Sequence, residues 1–213
     1  MEQLVRDVTA RLTPLGVMVL ALLREGDMHP YEMMRLMRHR HDDQLVTITN
    51  GTFYHTVARL ERQGLLAEVG VDRDGNRPER TTYTLTDAGR DAVSDWVRAE
   101  LPRVDHPAEF RVALAESHNL DRAVVIDLLS TRRAALTGEH LLYRDGLESA
   151  QARAVPEQFL VQTARQAALL AAELSWLDDL IARLEQSTFP WGVDELPDEH
   201  FDSYQAQRKA AQL

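Results

Sequence analysis

The chain has 213 residues, room for one large domain or two small ones, and its 44% of hydrophobic residues is ordinary for a globular protein with a packed core. It has no cysteine, which excludes disulfides and thiolate metal sites and suits a reducing cytoplasm, the expected location. No apolar run approaches the ~20 residues that span a bilayer, residues 1–10 are too polar for a signal peptide, and the formal charge of −10 argues against a nonspecific coat for nucleic acid, because phosphate repels an acidic surface.

That charge is uneven. Residues 1–100 balance at −3 and residues 101–213 at −7, while from Arg35 to Arg80 eight Arg outnumber seven acids. Lys209 is the one lysine, so Arg carries nearly all positive charge.

Thr13-Pro14 opens a first helix, with Thr as N-cap and Pro at the first helical position. Leu15 to Leu23 is apolar nearly all round, which predicts burial, and Gly26 ends the segment. Pro30 opens a second helix, where Met33, Met34, Leu36 and Met37 form an apolar stripe. A methionine-rich stripe can serve as an adaptable binding surface, but core packing is the expected role. Thr49 caps a third helix running to about Gln63, with Phe53, Val57 and Leu60 on its buried face.

Gly64 closes that helix. Leu65–Val71 reads as a strand, residues 72–80 as a polar hairpin tip turning at Gly75, and Thr81–Leu85 as the return strand. Thr86 caps a fourth helix that continues past Trp96. The order is helix, helix, helix, strand, wing, strand, helix: a winged helix-turn-helix.

The second half reads as long helices. Pro102 and Pro107 mark a junction, followed by a short helix around Phe110–Leu114. Asn119 or Asp121 opens a long helix with Val125, Leu129, Leu136, Tyr143 and Leu147 on one stripe. Pro156 is expected to open the last one, where Leu160, Ala167, Leu170, Leu174, Leu177, Ile181 and Leu184 recur at three- and four-residue steps. Such a seam needs a partner helix, from the same chain or from a second subunit. The fold class is thus mainly α with a small β-hairpin wing. The expected division is 1–98 for DNA binding, 99–190 for a helical dimerisation domain and 191–213 for a partly ordered tail.

The motifs Met28-His-Pro-Tyr-Glu32, Gly51-Thr-Phe-Tyr54, Arg59-Leu-Glu-Arg-Gln-Gly-Leu65, Arg77-Pro78 and Tyr83-Thr-Leu-Thr-Asp-Ala-Gly89 resemble PadR-type transcriptional regulators across residues ~12–98. Pro30 stands where that family more often has glycine. The C-terminal helices, ending in Leu174-Ser-Trp-Leu177, resemble the larger subfamily, whose helical second domain builds the dimer. The resemblance implies a dimeric repressor released by a small, often aromatic, effector; two copies related by twofold symmetry would read a palindromic operator. It also places Tyr54 on the DNA side.

A helix fits the major groove, and a hairpin tip reaches the minor groove beside it. With Phe53, Val57 and Leu60 facing the core, the opposite face of the third helix carries Thr52, His55, Arg59 and Arg62. Thr49, Asn50, Gly51 and Thr52 lie at its N-terminus, where free N–H groups and the helix dipole favour a phosphate or base edge. Asn50 can pair bidentately with adenine, or act only as a second capping residue. Arg73, Asn76, Arg77 and Arg80 place three Arg on or beside the wing, for phosphate or minor-groove contact. Leu160, Leu170, Leu174, Leu177, Ile181 and Leu184 are the candidate dimer interface. Trp96, Phe110 and Trp176 are candidates for an effector pocket, with aromatic core packing as the plainer reading.

Catalysis is not expected. There is no Gly-rich phosphate loop, no cysteine nucleophile and no nucleophile elbow, and the His39-x-His41 pair lacks the i, i+4 spacing of helical metal ligands. No metal or other cofactor is therefore expected. The remaining rival is a winged helix that has lost DNA binding and serves as a protein-interaction module.

Overall fold

The computed structural model describes residues 12–72 and 80–192, together with the single position 206. The first helix, α1 (Pro14–Leu22), starts where the Thr13 hydroxyl accepts the Gly16 N–H at 3.2 Å. Its residues from Gly16 to Leu22 are all buried, as an all-round apolar helix requires. A short 3-10 turn follows, and Gly26 at φ 129° ends it. Helix α2 (Pro30–His39) is capped by His29, whose Nδ1 accepts the Tyr31 N–H. The methionine stripe is core: Met28, Met33, Met34 and Met37 are all buried.

His41 takes a left-handed conformation at φ 62°, and the turn Asp42–Gln44 leads to α3 (Asn50–Arg62). Phe53, Thr56, Val57 and Leu60 are its buried face. Strands β1 (Leu66–Asp72) and β2 (Arg80–Leu85) pair antiparallel from Leu66↔Leu85 to Asp72↔Arg80, with an irregularity between Glu68 and Gly70. Met28 adds an isolated bridge to β2 by exchanging both backbone hydrogen bonds with Tyr83. This ties the entry of α2 to the root of the wing. Helix α4 (Asp87–Glu100) begins at Thr86, whose hydroxyl accepts the Gly89 N–H and donates to the Gly64 carbonyl.

Helix α5 (Pro107–Ala115) buries Phe110, Val112 and Ala113 and packs on both α1 and α4. The apolar core therefore runs without a break from the winged helix into the second half of the chain. Helices α6 (Arg122–Ala152) and α7 (Val161–Leu184) form a long antiparallel hairpin. The last helix starts at Val161 and not at Pro156. Pro156 is extended, and a 3-10 turn at Glu157–Phe159 completes the reversal that Ala154 begins in a left-handed conformation. A tight reversal leaves no room for a regular helical turn there.

Along α6 the buried positions are Val125, Leu129, Arg132, Leu136 and Ala150; along α7 they are Leu170, Leu177 and Leu184. These three leucines are spent on the hairpin inside one chain. The rest of the expected seam is less deeply placed. Leu174 and Ile181 are half-buried against the same core, and Leu160, also half-buried, precedes α7. Trp191 closes the end of the hairpin, its indole N–H donating to the Leu120 carbonyl at 2.9 Å. The tail expected from residue 191 lies outside the described residues beyond 192. No helix among the described residues is long and apolar enough to cross a membrane.

Candidate nucleic-acid interface

Helix α3 is presented at its N-terminal end. Thr49 and Thr52 form a reciprocal cap: each side-chain hydroxyl accepts the other residue's backbone N–H at 3.2 Å. The cap fixes the direction of the first turn and occupies both hydroxyls, which also contact each other at 2.7 Å. Asn50, Gly51, Thr52, Tyr54 and His55 are all exposed around this turn, while Phe53 below them is fully buried. A Cβ on Gly51 would meet nothing within 4 Å, so the backbone is open to a close approach there. Tyr54 stands edge-on to the Phe53 ring with nearly half of its surface open.

Other predicted side chains lie elsewhere. Arg59 is half-buried and turns back to α1, where Nη2 donates to the Thr13 hydroxyl at 3.0 Å. It braces α3 against the start of α1 and is not part of the exposed surface around Asn50. Arg62 is exposed, with Nε donating to the Ala58 carbonyl of its own helix. Arg73, Asn76 and Arg77 lie outside the described residues. Arg80 opens β2 opposite Asp72. At the wing root, the Tyr83 hydroxyl contacts Glu61 at 3.4 Å, and burial followed by that carboxylate raises the phenol above its ordinary value.

The aromatic candidates for an effector pocket do not share one surface. Trp96 and Phe110 are buried in the core, and Trp176 is exposed on α7. Phe110 lies directly beneath the Arg132 guanidinium, 3.5 Å from the ring centroid. Arg132 also donates to the Arg103 carbonyl and, through Nε and Nη2, to Glu173 on α7 at 3.1 and 2.6 Å. One buried side chain thus joins α6, α7, α5 and the turn after α4.

A second polar link joins α5 to the turn between α2 and α3. Arg111 donates to the Gln44 carbonyl. Close by, Glu116 accepts from Asn119 at 2.9 Å. Withdrawal from water, then repulsion from Asp42, pushes the Glu116 carboxyl up to about 7.

Sequence reasoning missed two residues. Arg38, in the last turn of α2, reaches the Asn50 side chain with Nη2 3.3 Å from Oδ1. Its signal was the local excess of Arg, which names no partner. Arg132 occupies an apolar seam position, so its charge gave no sign of burial.

A helix pair with an exposed capped helix N-terminus, backed by a two-stranded wing, defines a winged helix-turn-helix of the nucleic-acid-binding class. Residues 19–95 match the model of the transcriptional regulator PadR-like family. That match spans the winged domain, which is similar to the PadR-like family of transcriptional regulators. Among solved structures it is similar to Bacillus subtilis PadR in complex with operator DNA, at 20% identity, covering 80% of this chain and 99% of that one with a TM-score of 0.38. It is also similar to the same Bacillus protein in complex with p-coumaric acid, at 18% identity over 82% and 100% of the two chains, TM-score 0.37. A third match is the PadR-like regulator BC1756 from Bacillus cereus, at 16% identity over 81% and 98%, TM-score 0.34. A comparison with curated proteins finds no match.

Proposed function

We propose that the protein is a sequence-specific regulator that binds duplex DNA as a homodimer, most simply as a repressor released by a small-molecule effector. The observation that carries this reading is the exposed first turn of α3. Asn50, Gly51, Thr52, Tyr54 and His55 face solvent together, on a helix whose other side is locked into the core. Such a helix enters the major groove with its N-terminal residues at the base edges. Arg73, Asn76, Arg77 and Arg80 then supply the wing contacts to phosphate or the minor groove. Arg59 is left out of the contact set and serves to brace the helix.

The division at residue 98/99 assigns DNA reading to the first part and dimerisation to the second. Because Leu170, Leu177 and Leu184 are internal, the interface is assigned to the apolar residues that the hairpin leaves outside. On α7 these are Leu169 and Trp176, 49% and 42% exposed and two turns apart on one face; on α6 Leu142 is 75% exposed. Two winged domains related by a twofold axis would read a palindrome with half-sites ~10 bp or a multiple apart.

The test is selection of bound duplexes from random sequence, followed by titration over a range of salt. A palindromic consensus is expected, and Arg77→Ala should weaken binding to all sequences while lowering the salt slope by about one unit. Failure to bind any duplex would favour the rival reading, a winged helix used as a protein-interaction module. Sedimentation at micromolar concentration checks the dimer. Release from the operator by small aromatic acids, read by the same titration, checks the effector.

A further inference from the structure

Asn50 has an amide with two unlike ends: Oδ1 only accepts and Nδ2 only donates. Facing a base pair, the end presented decides which base is favoured. An unrestrained asparagine pairs with adenine, donating to N7 and accepting from the N6 amino group.

In this protein a neighbour constrains the choice. Arg38 Nη2 lies 3.3 Å from Asn50 Oδ1. A guanidinium has donors and no acceptor, so the amide can meet it only with its oxygen; the flipped amide would set donor against donor. Holding Oδ1 to Arg38 leaves Nδ2 as the polar end free for another partner. The surrounding groups reinforce this bias. The hydroxyls of Thr49 and Thr52 are engaged in the cap, and the Gly51 side contributes only backbone. Both Arg38 and Asn50 are exposed at the corner where α2 meets α3.

We infer that Arg38 is a specificity-determining residue, which fixes Asn50 as a donor so that the pair reads guanine rather than adenine. Guanine presents two acceptors in the major groove, N7 and O6, to a donor-rich pair. Adenine presents N7 beside an amino group that would meet an oxygen already held by a cation. The inference rests on the proposal that α3 enters the major groove. Arg38 acts here as a positioning residue, through the orientation of the amide.

The experiment uses the full chain and the consensus duplex obtained by selection. Each guanine of a half-site is replaced in turn by adenine, and affinities are read by fluorescence anisotropy for wild type, Asn50→Ala, Arg38→Met and Arg38→Lys. Wild type should favour guanine at one position per half-site by on the order of tenfold. Asn50→Ala should abolish that preference. Arg38→Met should flatten or reverse it toward adenine, and Arg38→Lys, still a pure donor, should retain it. A general loss of affinity in Arg38→Met leaves the ratio as the deciding quantity. The inference is overturned if Arg38→Met keeps the wild-type ratio, or if the Asn50-dependent position prefers adenine in wild type. It is also overturned if Asn50→Ala weakens every duplex equally, which is the mark of a phosphate contact. Absence of binding by wild type to any duplex is a separate result, seen before any variant is made, and it overturns the DNA-binding reading itself.

Discussion

Gly89 lies in the first turn of α4, where a Cβ would stand 2.1 Å from the Leu65 carbonyl oxygen and 2.7 Å from Leu85 Cδ1. The nearer atom is backbone, at the point where β1 leaves α3, so it cannot swing aside. Gly89→Ala should therefore lower stability by about 2 kcal/mol or more, despite the better helix propensity of alanine. Urea denaturation of the two proteins measures it, and an unchanged midpoint would show that the helix start can shift. The sequence motif around Asp87-Ala-Gly89 marked the position but not this contact, which depends on a backbone carbonyl 24 residues earlier. The same limit separates Thr49 from Arg38. A cap is a local device, readable from Thr49 and the helix that follows. The Arg38–Asn50 contact joins two helices across a turn, and only their crossing brings it about. The Arg59 contact with Thr13 was hidden for a related reason: helical spacing gives the face of a side chain but not the direction in which a long one folds back.

At the scale of elements, the seam of α6 and α7 was legible because burial imposes a period on the sequence. The stripe Val125, Leu129, Leu136 on one helix and Leu170, Leu177, Leu184 on the other is what packs. Periodicity does not say whose helix is the partner, and it skipped Arg132, which fills a seam position while only 4% exposed. That guanidinium is held by Glu173, by the Arg103 carbonyl and by the face of Phe110. Glu173 itself is about one-third exposed. The two partners should thus respond unequally. Glu173→Ala strands a buried charge and should cost on the order of 2–4 kcal/mol, whereas Arg132→Met frees a carboxylate that can turn to solvent and should cost less. A double-mutant cycle by chemical denaturation gives both values. The opposite order would show that stacking on Phe110 and the bond to Arg103, rather than the ion pair, hold the joint.

For the molecule as a whole, an acidic protein of formal charge −10 must concentrate its affinity for DNA locally, and it also collects acids at the joint between its halves. Glu116, at the end of α5, faces Asp42 from the turn before α3, Glu25 and Arg24 from the turn after α1, and its own Asn119. Glu25 is paired with Arg40 at 2.5 Å, which lessens its repulsion but leaves it close. Withdrawal from water and then Asp42 raise the carboxyl to about 7, from an ordinary value near 4.5. Asp42 is raised as well, again by burial first. The folded state therefore holds this proton more tightly than the unfolded chain. The stabilisation is complete below about pH 4.5, declines as the pH rises, and is lost once the carboxyl ionises in the folded protein near 7. His118 has the opposite sign: desolvation pushes its imidazole down, so folding loses stability from it as the pH falls. The wild-type profile alone mixes these terms, and a substitution isolates one of them. Glu116→Gln keeps an oxygen for Asn119 and removes the titration. It should match wild type near pH 4.5 and become the more stable protein through neutrality, by up to about 3 kcal/mol at pH 8. Urea midpoints across that range measure the difference. A gap that stays constant with pH would mean that Glu116 is ionised throughout, with Arg24 rather than Asp42 governing it.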